Sequence, residues 1–303
     1  MKRKLLILLM TAGILTGCST APVADKANVN VPMDPVPAQV QTVPTSTIRY
    51  QVELTSFERS AAAEDGQLLA TYQARVPVMT AVREDGTPIE GPMTSREKKA
   101  VEAAETFNQR FAVWTSEDSF QELADSAREE LDLRRENGLL PIESYDMDLS
   151  CTVYQTGHLV SVAGLCYSYT GGAHPNTWQL GWNFDLKTGT FFDGEAISAD
   201  TSGFREAVAA ELLWQARERA KENNMEPEEM YWPEYETLLT DWVNFTVYFD
   251  STGMTVAFSP YELAAYAVGA QEFHLSYDWL RPLLDEESCE VLELTSPENG
   301  EEP

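Results

Sequence analysis

The chain has 303 residues, of which 49 are Asp or Glu and 21 are Lys or Arg, giving a formal charge of −28. Such a surface repels phosphate backbones and anionic lipid, which argues against a nucleic-acid partner and against direct adsorption to a bilayer. It suits cationic partners, and it equally suits a plain self-repelling soluble surface.

The N-terminus carries the clearest signal. Lys2, Arg3 and Lys4 form a positive segment, and the mostly apolar run Leu5 to Leu15 follows. That run falls short of the roughly 20 apolar residues a spanning helix needs, so it reads as a targeting segment. Leu15-Thr16-Gly17-Cys18 resembles a bacterial lipobox, which implies removal of residues 1–17 and acylation of Cys18 with diacylglycerol and a further acyl chain such as palmitate. Two acyl chains, at about 0.8 kcal/mol per buried CH₂, anchor a protein stably. No later stretch is long and apolar enough to span, so Cys18 is the expected attachment, on the outer face of the cytoplasmic membrane. Residues 18–45 scatter Pro22, Pro32, Pro35, Pro37 and Pro44 among small and polar residues with no period, which reads as an extended tether.

Residues 46–140 open the folded part. Ile48 to Glu58 and Leu68 to Met79 are rich in β-formers and flank an Asp65-Gly66 turn. Thr94 and Glu97 form a capping-box pattern, and Val101, Ala104, Phe107, Phe111 and Trp114 follow at helical spacing. A second helix carries Phe120, Leu123, Ala127 and Leu131 and stops at Asn137-Gly138.

Residues 141–284 return to strands. Met147, Leu149, Cys151 and Val153 alternate with polar residues, Leu159 to Tyr169 is a more apolar strand, and Thr177 to Leu186 precedes a Lys187-Thr188-Gly189 turn. Phe204, Val208 and Leu212 begin a helix whose apolar side Leu213 and Trp214 widen. Strands at Asn244 to Phe249 and Met254 to Phe258 surround Asp250-Ser251-Thr252-Gly253, and Glu272 to Tyr277 is a last short strand. Residues 285–303 form an acidic tail expected to be loose. The fold class is α+β, with antiparallel sheets of hairpins packed by a few amphipathic helices.

With Cys18 acylated, Cys151, Cys166 and Cys289 allow at most one internal disulfide. A tight turn at Thr156-Gly157 sets Cys151 against Val162 and leaves Cys166 four residues on, roughly 13 Å away and out of bridging reach. A longer loop brings Cys151 and Cys166 together. That pairing, a pairing with Cys289 and no bridge all stay open.

Chemistry is sparse. His158, His174 and His274 are isolated, and the sequence holds no HExxH, CxxC, GxSxG or phosphate-binding glycine loop. We expect no catalytic residue, no metal and no cofactor. Two segments stand out instead. Tyr167 to Asn176 runs from a strand through Gly171-Gly172 to His174 before Pro175, where the glycines admit positive φ and the proline biases His174 away from helix. This is either a structural hairpin with His174 bonded to local backbone, or a shaped loop that meets a visitor. Phe258 to Gly269 ends a strand, turns at Pro260 and presents Tyr261 and Tyr266, a pair suited to recognition when exposed and to core packing when not.

Together the two segments resemble a bacterial extracellular domain found in the ectodomain of RsiV-type anti-sigma factors and in the N-terminal part of some peptidoglycan deacetylases. The resemblance covers roughly residues 46–284. It rests on Tyr169-Thr170-Gly171-Gly172-Ala173-His174 with Asn176, on Phe184 to Gly189, and on a Phe258 to Gly269 run similar to F-x-P-Y-E-x-A-P-Y-A-x-G. Ala265 stands where that pattern has proline. In RsiV-type proteins the ectodomain binds lysozyme and so opens a route to proteolysis. This sequence has no anti-sigma segment, no spanning helix and no deacetylase domain. The resemblance therefore implies a non-catalytic recognition module for a lysozyme-like cationic protein, with Ser168, Tyr169, Gly171, Gly172, His174, Pro260, Tyr261 and Tyr266 at the contact. A module for cell-wall glycan, with Trp178, Trp182 or Trp232 stacking on sugars, is the alternative, and a metal-dependent hydrolase a more distant one.

Overall fold

The computed structural model describes residues 47–294, with Pro92 and Pro141 excepted. Cys18, the signal segment, the tether and residues 295–303 lie outside the described residues.

Strand β1 (Arg49–Ala62) pairs antiparallel with β2 (Leu68–Val82) across the Asp65-Gly66 turn, where Gly66 takes φ +86°. Both strands outrun their sequence-based limits. Leu69, Ala70, Tyr72, Ala74 and Val76 put β2 in the core. Two helices follow. Helix α1 (Ser95–Phe111) begins at the predicted capping box, in which the Glu97 backbone N–H donates to the Thr94 hydroxyl at 3.2 Å and the Thr94 backbone N–H to the Glu97 carboxylate at 2.8 Å. Helix α2 (Glu117–Glu136) buries Phe120, Leu123, Ala127 and Leu131 as the periodicity requires, and ends before Gly138 at φ +66°.

These helices form a crossover, so the next strand, β3 (Tyr145–Gln155), lies parallel to β2. The hairpin expectation fails at this one pairing because a connection of two helices can carry the chain back to the starting end of the sheet. Strands β4 (Leu159–Tyr169), β5 (Asn176–Asp185) and β6 (Thr190–Phe192) add on antiparallel, completing a six-stranded sheet in chain order. The sheet runs straight through the division at residue 140. Phe107 packs on Phe184 and Phe191, with centroids 5.3 and 5.8 Å apart, and Phe111 on Trp182 at 5.0 Å, so α1 closes one face of the sheet. Where β3 no longer accompanies β2, the Asn108 amide takes over. It accepts from the Met79 N–H at 2.7 Å and donates to the Met79 carbonyl at 2.9 Å.

A second core forms between helix α3 (Thr201–Glu222) and a three-stranded antiparallel sheet of β7 (Thr246–Phe249), β8 (Gly253–Phe258) and β9 (Gln271–Ser276). Phe204, Val208, Leu212, Ala216 and Ala220, four residues apart, are its buried stripe. Trp214, expected to widen that stripe, is exposed. Residues Glu286–Val291 are helical rather than loose, and Leu292 is buried against this core.

The sheets are joined through buried polar groups. The Ser161 hydroxyl donates to Asn183 Oδ1 and accepts from the Phe249 N–H, both at 2.8 Å, and Asn183 Nδ2 donates to the Val247 carbonyl at 3.0 Å. Gly181 makes room for this approach, since a Cβ there would sit 2.3 Å from the Val247 oxygen.

The β3–β4 register sets Cys151 against Gly164 and Cys166 against Leu149. The turn is wider than a two-residue one, which shortens the cysteine offset from four residues to two. A diagonal neighbour still lies about 7–8 Å away, beyond ordinary disulfide geometry. Cys151, Cys166 and Cys289 are free thiols in the structure. Burial pushes Cys151 and Cys166 up to about 12.

Two outcomes are expected. Alkylation of the native chain at neutral pH modifies the partly exposed Cys289 well before Cys151 or Cys166, and denaturation releases both of these as titratable thiols. A Cys151–Cys166 disulfide in the mass spectrum of the unreduced protein contradicts this register. Separately, Gly181→Ala lowers the unfolding free energy by about 2–3 kcal/mol in urea titration, because the obstructing atom is backbone. A change within about 0.5 kcal/mol, ordinary for an indifferent site, means the sheets part easily there.

Candidate functional site

The two segments singled out by sequence come together at one end of β4, β5 and β8. Strand β4 ends at Tyr169, and Gly171 at φ +84° and Gly172 at φ +103° reverse the chain, with the Tyr169 hydroxyl donating to the Gly172 carbonyl at 3.2 Å. Ring nitrogen Nδ1 of His174 lies 2.8 Å from the Pro175 carbonyl. That oxygen only accepts, so Nδ1 carries a proton, and in the neutral ring Nε2 is an acceptor.

The second segment is locked by its own polar groups. The Ser259 N–H donates to the Glu262 carboxylate at 2.6 Å, the Glu262 N–H to the Ser259 carbonyl at 3.0 Å, and the Tyr261 N–H to the Ala264 carbonyl at 3.0 Å. Burial raises the Glu262 carboxyl above its ordinary range, against the hydrogen bonds from Ser259. Tyr261 takes φ +74°, rare for a bulky side chain. Its carbonyl accepts from the Trp232 indole at 3.1 Å. Ala265 has φ −63° and ψ 153°, the backbone a proline would impose, so the turn keeps its shape without one.

The segments are joined twice. Below the loops, the Gln179 N–H on β5 donates to the Ser259 hydroxyl at 3.1 Å. At the tip, the Tyr261 hydroxyl lies 3.0 Å from His174 Nε2 and donates to it in the neutral ring, while Tyr266 stacks on His174 at 4.1 Å and 21°. Tyr261 and Tyr266 have centroids 5.6 Å apart. The imidazole thus bonds local backbone through one nitrogen and bridges the loops through the other. Tyr261 is 49% exposed, Gly171 and Gly172 are exposed, and Pro260, His174 and Tyr266 are half-buried. Ser168 is a correction to the expected set. It points into the fold at 6% exposure and cannot meet a visitor.

Beside His174 opens a groove of about 670 Å³ whose walls include Glu143, Asp146, Tyr167 and Tyr169. The β3–β4 register builds it, setting Asp146 opposite Tyr169 and Asp148 opposite Tyr167. The Glu143 carboxylate, a competing acceptor for the one Tyr169 hydroxyl proton, raises that hydroxyl above its usual range, and Asp146 accepts from the Thr71 hydroxyl. Carboxylates among aromatic rings are a setting for a guanidinium or ammonium group, through charge-assisted hydrogen bonds and ring faces. Sequence reading missed Glu143 and Asp146. Cross-strand pairing brings them to the loop, and no local motif marks them. Among the described residues no group of three or more His, Cys, Asp or Glu is placed to hold a metal ion, and no helix is long and apolar enough to cross a membrane.

Residues 200–278 match the DUF3298 family, described as a protein of unknown function. That stretch runs from α3 to just past β9 and contains the Tyr261 loop but not the His174 loop. A solved structure of a DUF3298 family member from Bacteroides fragilis superposes with a TM-score of 0.57 at 15% identity, over 83% of this chain and 100% of that one. A DUF3298 family protein from Pseudomonas aeruginosa gives 0.46 at 15% identity, over 78% of this chain and 95% of that one. No curated protein matches the sequence. The likeness to the Bacteroides protein is one of fold.

The strain at Tyr261 is open to measurement. Replacing it by Gly leaves a chain about 1 kcal/mol more stable than replacing it by Ala, because only glycine accepts this φ freely. Equal stabilities in thermal or urea unfolding argue that the backbone relaxes once the ring is gone.

Proposed function

We propose that the chain is a lipid-tethered, non-catalytic recognition module on the outer face of the cytoplasmic membrane, and that it binds a lysozyme-like cationic protein through the Gly171-to-Pro175 and Pro260-to-Tyr266 loops. One observation carries this reading. A half-exposed tyrosine at positive φ, bonded to His174, stands beside an open groove walled by two carboxylates and two further tyrosines. An Arg or Lys side chain of the partner enters the groove, and Tyr261 with Tyr266 supplies flat contact area around it. The formal charge of −28 speeds encounter with a basic protein. The resemblance to RsiV-type ectodomains supports the same partner class, and the lipobox at Cys18 supports the location.

The wall-glycan alternative draws less from the geometry. Trp182 is half-buried against Phe111, and the Trp232 indole is committed to the Tyr261 carbonyl.

The test uses the chain without its signal segment and with Cys18→Ser, passed over an immobilised basic lysozyme. Binding is expected at micromolar protein or below at low ionic strength, weakening as salt rises from about 25 to about 300 mM, where the screening length drops below about 10 Å. Tyr261→Ala, and separately Glu143→Gln with Asp146→Asn, weaken it about tenfold or more, or about 1.4 kcal/mol. No association in low salt, or equal binding by all these variants, removes the reading. Co-sedimentation with insoluble peptidoglycan in its place establishes the glycan alternative.

A further inference from the structure

A second concavity lies elsewhere and has the opposite sign. It occupies about 930 Å³ between the start of β1, the first turns of α1 and the turns after β3 and β5, and shares no lining residue with the aromatic groove. Arg49, Arg96, Lys99 and Lys187 line it, and Glu102 is its single lining carboxylate. Glu102 is partly neutralised by Lys98 at 3.7 Å, and Lys187 is engaged by Glu287 at 2.9 Å. Arg49, Arg96 and Lys99 are exposed, and among the described residues their side chains have no hydrogen-bond or ion-pair partner. In a chain with 49 carboxylates and 21 basic residues, three such cations are gathered around one hollow.

The hollow has a firm frame. Asp185 accepts from the Lys187 N–H at 2.7 Å and from the Thr188 hydroxyl at 2.9 Å, which shapes the Lys187-Thr188-Gly189 turn. Gly189 at φ +72° presses that turn onto α1, since a Cβ there would sit 2.9 Å from Ala103 Cβ. At the rim, the Gly157 N–H already receives a carboxylate, that of Glu293, at 2.5 Å. The Phe184-to-Gly189 run singled out in the sequence thus belongs to this hollow and not to the aromatic site.

We propose that this hollow is a binding site for a phosphate-bearing polyanion, a diphosphate or phosphodiester group held by Arg49, Arg96 and Lys99 with Lys187 at the edge. Two guanidinium forks suit phosphate oxygens in pairs, and the ammonium groups add point charge. The overall negative charge opposes approach from afar, but at physiological ionic strength fields fade over about 8 Å, so the nearest groups govern a bound anion. The same phosphate chemistry comes from two sources, a soluble diphosphate or a lipid headgroup.

The test is calorimetric titration of the mature chain, carrying Cys18→Ser, with inorganic pyrophosphate at about 0.15 M ionic strength, where the screening length is about 8 Å. Saturable one-to-one binding is expected. The combination Arg49→Ala, Arg96→Ala, Lys99→Ala weakens it about tenfold or more, whereas Lys221→Ala, on a lysine paired with Glu218 far along α3, leaves it unchanged. Absence of binding, or a triple variant that binds like its parent, overturns the proposal. Because the three side chains are exposed and unpartnered, the variant keeps its fold, which circular dichroism verifies. Lys99→Glu alone, with the same direction of effect, is the second check. A vesicle arm identifies the source: retention on phosphatidylglycerol but not phosphatidylcholine vesicles, lost in the triple variant, points to a headgroup, and pyrophosphate binding without retention points to a soluble diphosphate.

Discussion

The placing of the two aromatic loops depends on a small buried polar junction between the two sheets. Ser161 on β4 and Asn183 on β5 share one hydrogen bond, and each makes another to the backbone of β7, at Phe249 and Val247. A buried amide or hydroxyl that loses its partner destabilises a fold by about 1–3 kcal/mol, so this pattern punishes a slip more sharply than an apolar seam would. Apolar contacts elsewhere in the interface tolerate sliding. The junction does not, and Gly181 lets the strands come close enough to form it. With β5 fixed over β7, Gln179 reaches Ser259 and the two loops at that end have no choice but to meet. The His174–Tyr261 contact is therefore the far end of a register set within the core.

The parts of this arrangement visible in the sequence are those written in local pattern. Thr94 and Glu97 mark the start of α1 because a capping box is a local device, and Phe120, Leu123, Ala127 and Leu131 mark the buried face of α2 because helical periodicity is local too. The parallel pairing of β2 with β3 was not legible, since alternation in a strand is the same whichever way its neighbour runs. Ser168 was misplaced for a related reason. Strand β4 is apolar along nearly its whole length, so its inward and outward positions do not separate by residue type. The cysteine offset hinged on the width of one turn, and β6, three residues long, is too short to show a period. Glu143 and Asp146 were invisible as site residues because a cross-strand register brings them beside Tyr169 and His174.

Net charge carries a different kind of information. It is a sum, and it predicts the far field well: a chain of −28 repels anions at a distance. Binding at a concave site is decided within a screening length, where the local inventory matters. The protein carries two hollows of opposite character, one with carboxylates among tyrosines and one with unpartnered arginines and lysine. The net charge describes the surface at large, and the proposed phosphate site concerns the local inventory of the hollow beside α1. Exclusions drawn from composition therefore apply to nonspecific association and should not be extended to built sites.

Tyr261 shows how strain discriminates between a packed ring and a presented one. Its φ of +74° disfavours any side chain, and the fold holds it there from both sides, through its own N–H to Ala264 and its carbonyl to Trp232. A ring that filled a core would offset that strain with buried area, but this one is half exposed, and Leu263 and Ala264 beside it fill the core instead. What the ring gains inside the molecule is one hydrogen bond to His174 and loose contact with Tyr266. A net hydrogen bond contributes about 0.5–1.5 kcal/mol, comparable with the strain of a left-handed bulky residue at about 1–3 kcal/mol. Internal contacts thus come close to balance at best, and the position gives the free protein little reason to prefer tyrosine over glycine. On the proposed reading, the partner that covers the open face of the ring supplies the surplus.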